Sequence, residues 1–221
     1  MIALLDHLNI PKAVFIGHDW GASTCWSVGL FHPERCRAVI SIGIPYMEPQ
    51  VEYADPKDLQ KVFPQFQYFA VFQTKEPEGW FDGNSHTMAV AMLNSVYGPS
   101  VGTSVEEKQL YIDSFTRTTM HGGLNYYRAT RLSFEDGLPY VGKPYTVPAM
   151  LIIVESDPIV TPAFVASHTH GTIQSLEQAR IKEGGHNVQT ENPEEVNKLI
   201  DGYLAKVFDK KQGLGKQTIE E

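Results

Sequence analysis

The sequence predicts an α/β fold: a parallel sheet of about four strands with flanking helices and a helical insertion. Three observations carry this. Short apolar or β-branched runs stand at residues 13–16, 37–43, 149–154 and 179–182, brief enough for buried strands and too brief for globular helices. The first two are separated by a helical pattern with short connections, a βαβ arrangement that makes the strands parallel and the crossover right-handed. From residue 46 to 145 short helical patterns replace the strands, and most of the aromatic residues fall between positions 61 and 145.

Each element has a local reason. The opening MIALLDHLNIPKA spaces its apolar residues as a helix over residues 1–8, ended by Ile10-Pro11. It lacks the basic start and small-residue cleavage site of a signal peptide. A helix over 22–32 is closed by His32-Pro33-Glu34, and the strand RAVISIG (37–43) is stopped by Ile44-Pro45. The insertion is expected over the sheet edge. The strands AMLIIV (149–154) and ARIK (179–182) follow, then a helix over 193–207 with Asn192 as N-cap and Glu194 and Glu195 in its first turn. The expected organisation is therefore a core of residues 1–45 and 146–208, an insertion over 46–145, and a polar, disordered tail over 209–221. No internal repeat is present.

Composition excludes several classes. The 221 residues are 42% hydrophobic and 20% charged, ordinary for a soluble domain. A net charge of −8 argues against nucleic acid or an anionic membrane as partner. No apolar run approaches the roughly 18–20 residues of a transmembrane segment. Two cysteines, Cys25 and Cys36, are too few for a disulfide framework, and Cys25 reads as a buried reduced thiol. No N-x-Ser/Thr sequon occurs, so a reducing, cytoplasmic setting is the default expectation.

The stretch AVFIGHDWGAS (13–23) is the most informative. An apolar strand ends in Gly17-His18-Asp19-Trp20-Gly21 and a helix follows at once. Ligands of parallel α/β sheets bind beyond the carboxyl ends of the strands. Gly17 and Gly21 remove side chains that would block a sharp strand-to-helix turn, and Ala22 lets helix and strand approach. The pattern is that of a nucleophile elbow, with aspartate where serine is usual, beside a helix N-terminus that favours negative charge. The simpler reading of Asp19 is an N-cap at an ordinary turn. Two further segments weigh against it. LIIVESDPIVTP ends a strand in Asp157, and IKEGGHNVQTENP presents His186 after a glycine pair. Singly, Asp157 is a turn-former and His186 a loop histidine. Together they give nucleophile, acid and histidine in chain order, at what read as three successive strand ends. Of the eight histidines only His186 stands out; His168-Thr169-His170 lacks the accompanying ligands of a metal site and reads as surface.

On these residues the chain resembles the α/β-hydrolase-fold epoxide hydrolases, in which Gly-His-Asp-Trp-Gly carries the nucleophile. The resemblance runs from about residue 4 to 207 and implies a partial α/β-hydrolase fold whose insertion is a lid. It also implies two lid tyrosines: FQYFAVFQ (66–73) resembles the first lid motif and points to Tyr68, and GLNYYR (123–128) resembles the second and points to Tyr127, with Tyr126 as the competing choice. Outside the resemblance both tyrosines read equally well as aromatic core.

The chemistry suits these residue types. A carboxylate of ordinary pKa near 3.9 is ionised at neutral pH and attacks carbon without a base. A tyrosine stays protonated and donates to the developing alkoxide. The resulting ester of Asp19 needs an activated water, for which a histidine with a pKa of about 6.5 is the natural base, oriented by Asp157. His18 is expected to support the loop, the Trp20 N–H to serve the oxyanion, and the Trp20 indole to line a pocket for a lipophilic epoxide. No metal or organic cofactor is required; water is the second reactant.

The resemblance also exposes a gap. Family members begin with further strands and a His-Gly-x-Pro loop that gives a second oxyanion donor, and neither is found here. About the N-terminal third of the expected fold is thus missing, as a fragment, an incomplete gene model or a natural short form. Loss of one donor is expected to slow ester hydrolysis by about 10²–10³-fold. The 13–16 strand is expected to present an apolar edge open to homodimer pairing. Two other readings stand beside epoxide hydrolysis: haloalkane dehalogenase, which shares the aspartate and the following tryptophan, and a pseudoenzyme binding lipophiles without turnover. The two tyrosines favour the epoxide, since a halide leaves without a proton.

Overall fold

The computed structural model describes residues 1–82, 104–168 and 172–209. They divide into two compact units, one of Met1–Glu48 with Gly142–Glu221 and one of Pro49–Val141. The expected tail over 209–221, apart from Asp209, lies outside the described residues, as do Thr169 and His170.

The first unit is built on four parallel strands in the order β1 (Ala13–His18), β2 (Cys36–Ile42), β3 (Ala149–Val154) and β4 (Leu176–Ile181). Registry is regular along most of the sheet, with Ile16 beside Ile40 and Ile40 beside Met150. β3 is buried at every position and β2 at all but Arg37, whereas β1 and β4 each bury one residue, Phe15 and Ile181, and leave the others partly or fully exposed. That is the signature of two inner and two outer strands among the described residues.

Helices cover both faces. α1 (Ile2–His7) and α2 (Trp20–Phe31) pack on one, where Leu5, Phe15, Trp26 and Val39 share a core with Tyr46 and Tyr145. α11 (Pro193–Asp209) packs on the other, where Val196 and Tyr203 meet Ala38, Ile40, Met150 and Ile152. The alternation of Ala38, Ile40 and Ile42 against Val39 along β2 divides the two cores, as the two-residue period of a strand requires. Two short helices of this unit escape the sequence reading, α9 (Pro162–His168) and α10 (Val188–Glu191). α1 is less amphipathic than its spacing suggests: Leu5 is buried, but Leu4 and Leu8 are exposed.

The second unit is helical throughout the described residues. It contains α3 (Pro56–Val62), α4 (Tyr68–Phe72), α5 (Glu76–Asp82), α6 (Val105–Thr118), α7 (His121–Arg128) and α8 (Thr130–Gly137). α6 opens with a capping box, in which Ser104 and Glu107 satisfy each other's backbone N–H groups. No helix among the described residues is long and apolar enough to cross a membrane.

Candidate active site

Asp19 follows β1 directly and caps α2, with φ 53° and ψ −127°. A non-glycine residue at positive φ costs about 1–3 kcal/mol and persists only where its surroundings enforce it. The enforcement is visible at Gly17: a Cβ there would lie 2.3 Å from the Gly21 carbonyl oxygen and 2.6 Å from the Ala22 nitrogen, so the helix start rests on the strand. Gly21 corrects the sequence expectation. A Cβ at Gly21 would meet none of the described atoms within 4 Å, so of the two glycines only Gly17 is required by space. The N-cap and elbow readings of Asp19 are also compatible, since one residue does both.

The Asp19 carboxylate is held at both oxygens. Oδ2 accepts the Trp20 N–H at 2.6 Å, and Oδ1 lies 3.2 Å from His186 Nε2. On the far side of the imidazole, Nδ1 is 3.0 Å from Asp157 Oδ2. Asp157 is only 3% exposed, and its other oxygen accepts the N–H groups of Ile159 at 2.7 Å and Val160 at 2.9 Å. The three side chains come from loops after β1, β3 and β4. They do not sit on three successive strands, as expected, because β2 lies between β1 and β3. Its end carries Gly43 at φ +85°, whose missing side chain leaves room 4.0 Å from Asp157 Oδ2.

The charges are mutually arranged. Burial opposes ionisation of Asp19, but the hydrogen bonds from His186 and the Trp20 N–H outweigh it and hold its pKa below the usual value. Burial likewise opposes charge on Asp157, and His186 with the two backbone donors reverses it. For His186 burial would lower the pKa, yet the two carboxylates raise it to about 9. The two carboxylates thus favour the imidazolium over the free base.

His18 has a definite part. Its Nε2 lies 2.7 Å from the His186 carbonyl oxygen, which can only accept, so Nε2 carries the proton and Nδ1 accepts from Gln189 at 3.3 Å. Burial and the neighbouring His186 keep its pKa low, which matches this neutral form. His18 therefore supports a loop, and that loop is the one carrying His186. Ser156, beside Asp157, donates to the Gly184 carbonyl in the same loop. The sequence reading missed Ser156; its one signal was adjacency to the acid.

In the second unit Tyr68 opens α4 and Tyr127 lies near the end of α7, with ring centroids 5.8 Å apart at 73°. Phe69 and Phe72 meet the Tyr127 ring edge to face at 4.9 and 4.8 Å. Tyr126 is 51% exposed, whereas Tyr127 shares the ring cluster with Tyr68. Polar contacts fasten the two helices. Gln73 donates to the Tyr127 carbonyl at 2.7 Å, and Arg128 donates to the carbonyls of Phe72 at 3.0 Å and Thr74 at 2.5 Å and pairs with Glu78.

The remaining candidates have structural settings. Cys25 and Cys36 are buried and free, and burial pushes their thiols to about 11 and 12, far from thiolates at neutral pH. The His168 ring packs on Phe164 with centroids 4.3 Å apart. Among the described residues no group of three or more ligating side chains could hold a metal ion.

Residues 1–193 match the family described as the alpha/beta hydrolase fold. The chain is 31% identical over 229 residues to the bifunctional epoxide hydrolase 2 of Mus musculus, across 92% of this chain and 41% of that protein. It is 28% identical over 236 residues to epoxide hydrolase A of Mycobacterium tuberculosis, across 92% of this chain and 72% of the other. The crystal structure of an epoxide hydrolase from Vigna radiata superposes with a TM-score of 0.82 over 93% of this chain and 72% of that one, at 22% identity, a likeness of fold. The chain thus spans about two fifths of the length of its mammalian relatives.

Proposed function

The chain belongs to the α/β hydrolase fold family, and we propose that it opens lipophilic epoxides to vicinal diols through an ester of Asp19. The observation that carries the reading is the elbow carboxylate itself, poised 3.2 Å from an imidazole that a second, buried carboxylate orients. The similarity to epoxide hydrolases supports the substrate class.

In the first step Asp19 Oδ1 forms a bond to an epoxide carbon. The ring carbon–oxygen bond breaks, and the oxygen takes a proton from a tyrosine hydroxyl, a role assigned to Tyr68 and Tyr127. The Trp20 indole contacts the substrate's apolar body. Esterification removes the charge of Asp19 and with it one of the two influences that raise the His186 pKa. The imidazolium proton returns through solvent to the tyrosinate left by ring opening, so His186 is neutral and able to act as a base for the second step. In the second step His186 Nε2 takes a proton from water, whose oxygen adds to the Asp19 carboxyl carbon. Oδ2, as the developing oxyanion, keeps the Trp20 N–H. Collapse releases the alkoxide, which takes the proton from His186, and the proton left on the Asp19 carboxyl then passes to His186, restoring the carboxylate and the imidazolium.

Incubation with styrene oxide tests this, with diol measured by chromatography and the Asp19 ester by intact-mass spectrometry. The chain is expected to form the ester and release diol, and Asp19→Asn to do neither. Undiminished diol from Asp19→Asn overturns the reading, and bromide release from a bromoalkane in preference to diol formation redirects it to dehalogenation.

A further inference from the structure

The backbone around His186 is gripped from three directions. His18 and Ser156 hold the carbonyls of His186 and Gly184. The third grip is the Glu191 carboxylate, which accepts the N–H of Gly185 through Oε2 and that of Asn187 through Oε1, at 3.3 Å for the latter. These are the backbone N–H groups of the residues on either side of His186. The return path is α10, closed by the N–H groups of Thr190 at 2.9 Å and Glu191 at 3.1 Å on the Asn187 carbonyl. Both glycines before His186 serve this fold-back. A Cβ at Gly185 would lie 2.8 Å from each Glu191 carboxylate oxygen, and one at Gly184, at φ +140°, would lie 2.9 Å from Val188 Cγ2.

We infer that Glu191 is a positioning residue, clamping the backbone N–H groups of the two residues beside His186 so that the imidazole bridges Asp157 and Asp19. It touches no reacting atom. Removing its carboxylate strips two backbone donors of their acceptor and frees the loop to drift from Asp157. A displacement of about 1 Å at a reacting group can cost on the order of 10²-fold. Its kinetic consequence rests on the proposed epoxide reading and is confined to one step. Attack by Asp19 needs no base and is spared; hydrolysis of the ester needs His186 and is slowed.

The test uses the full chain with Glu191→Ala and the isosteric Glu191→Gln, which keeps one acceptor and reads the role should the alanine variant fail to fold. NMR titration of the His186 imidazole needs no turnover. The midpoint is expected at about 9 in the unaltered chain, and to fall toward the ordinary 6.5 in Glu191→Ala, with Glu191→Gln between. Rapid-quench mass spectrometry with styrene oxide is expected to show ester hydrolysis slowed about tenfold or more in Glu191→Ala, with ester formation changed less than about twofold. An unchanged His186 midpoint in the folded variants overturns the clamp, as does an equal loss in both steps. If the unaltered chain forms neither ester nor diol while Glu191→Ala still lowers the midpoint, the clamp stands and the epoxide reading fails.

Discussion

The two units fix their polar groups by opposite means. In the first, Asp19, Asp157 and His186 stand on loops leaving a hydrogen-bonded sheet, and each atom that matters has a named partner within 3.2 Å. In the second, Tyr68 and Tyr127 ride on helices of five and eight residues, placed by ring packing and fastened by Gln73 and Arg128. The carboxylates and the imidazole are held by hydrogen bonds on loops at strand ends, and the two tyrosines by ring packing between short helices. The comparison predicts that damage to the first unit separates into steps, whereas damage to the second is graded and falls on ring opening alone.

The largest effect is expected from Asp19→Asn, a loss of about 10⁴-fold or more in diol formation with no ester in the mass spectrum. His186→Gln comes next. Ester hydrolysis drops by about 10²–10⁴-fold while ester formation stays within a few-fold, so the adduct accumulates; equal loss of both steps would break the division between the units. Tyr68→Phe with Tyr127→Phe follows, slowing ester formation by about 10²-fold or more and each single change less, while decay of a preformed ester is unaffected. Arg128→Gln sharpens the comparison further. It unfastens the tyrosine pair without touching either ring, and ester formation is expected to slow by roughly 3–10-fold with hydrolysis unchanged.

Apart from these rates, the first unit should carry a pH dependence of stability. His186 has its folded pKa raised to about 9 from an unfolded value near 6.5. The folded state therefore binds the proton more tightly, and the stabilisation is complete below pH 6.5 and lost as pH rises through 9. Chemical denaturation at several pH values should show a decline on the order of 1–3 kcal/mol across that window, and His186→Gln should flatten it.

Much of the sheet was legible because inner strands are apolar on both faces: RAVISIG and AMLIIV announced β2 and β3 nearly to the residue. The outer strands were read short. β1 runs on through Gly17 and His18, which carry no β signal, and β4 begins at Leu176-Glu177-Gln178, whose two polar residues hide the strand pattern. α9 and α10 span seven and four residues, too few for a helical period to emerge. In the site, residue type and strand-end position were enough to single out Asp19, Asp157 and His186, and the structure brings them together. What holds them was hidden. The contacts of His18, Ser156 and Glu191 with the His186 loop are to backbone atoms, and no pattern of side-chain types records them. The Gly17–Gly21 distinction was hidden for the same reason, since it depends on what surrounds each Cα.

The 3.2 Å link between Asp19 and His186 joins positions 167 residues apart. A connection of such high contact order is made after the local strands and helices have formed. On the ribosome the elbow and its carboxylate emerge long before the imidazole that would release a captured substrate. On the proposed reading, an ester formed on Asp19 before β4 and the loop behind it dock would persist until they do. Exposure to epoxide during synthesis or refolding is therefore expected to give a transient modified fraction, cleared once His186 docks, that mature protein given the same dose does not accumulate.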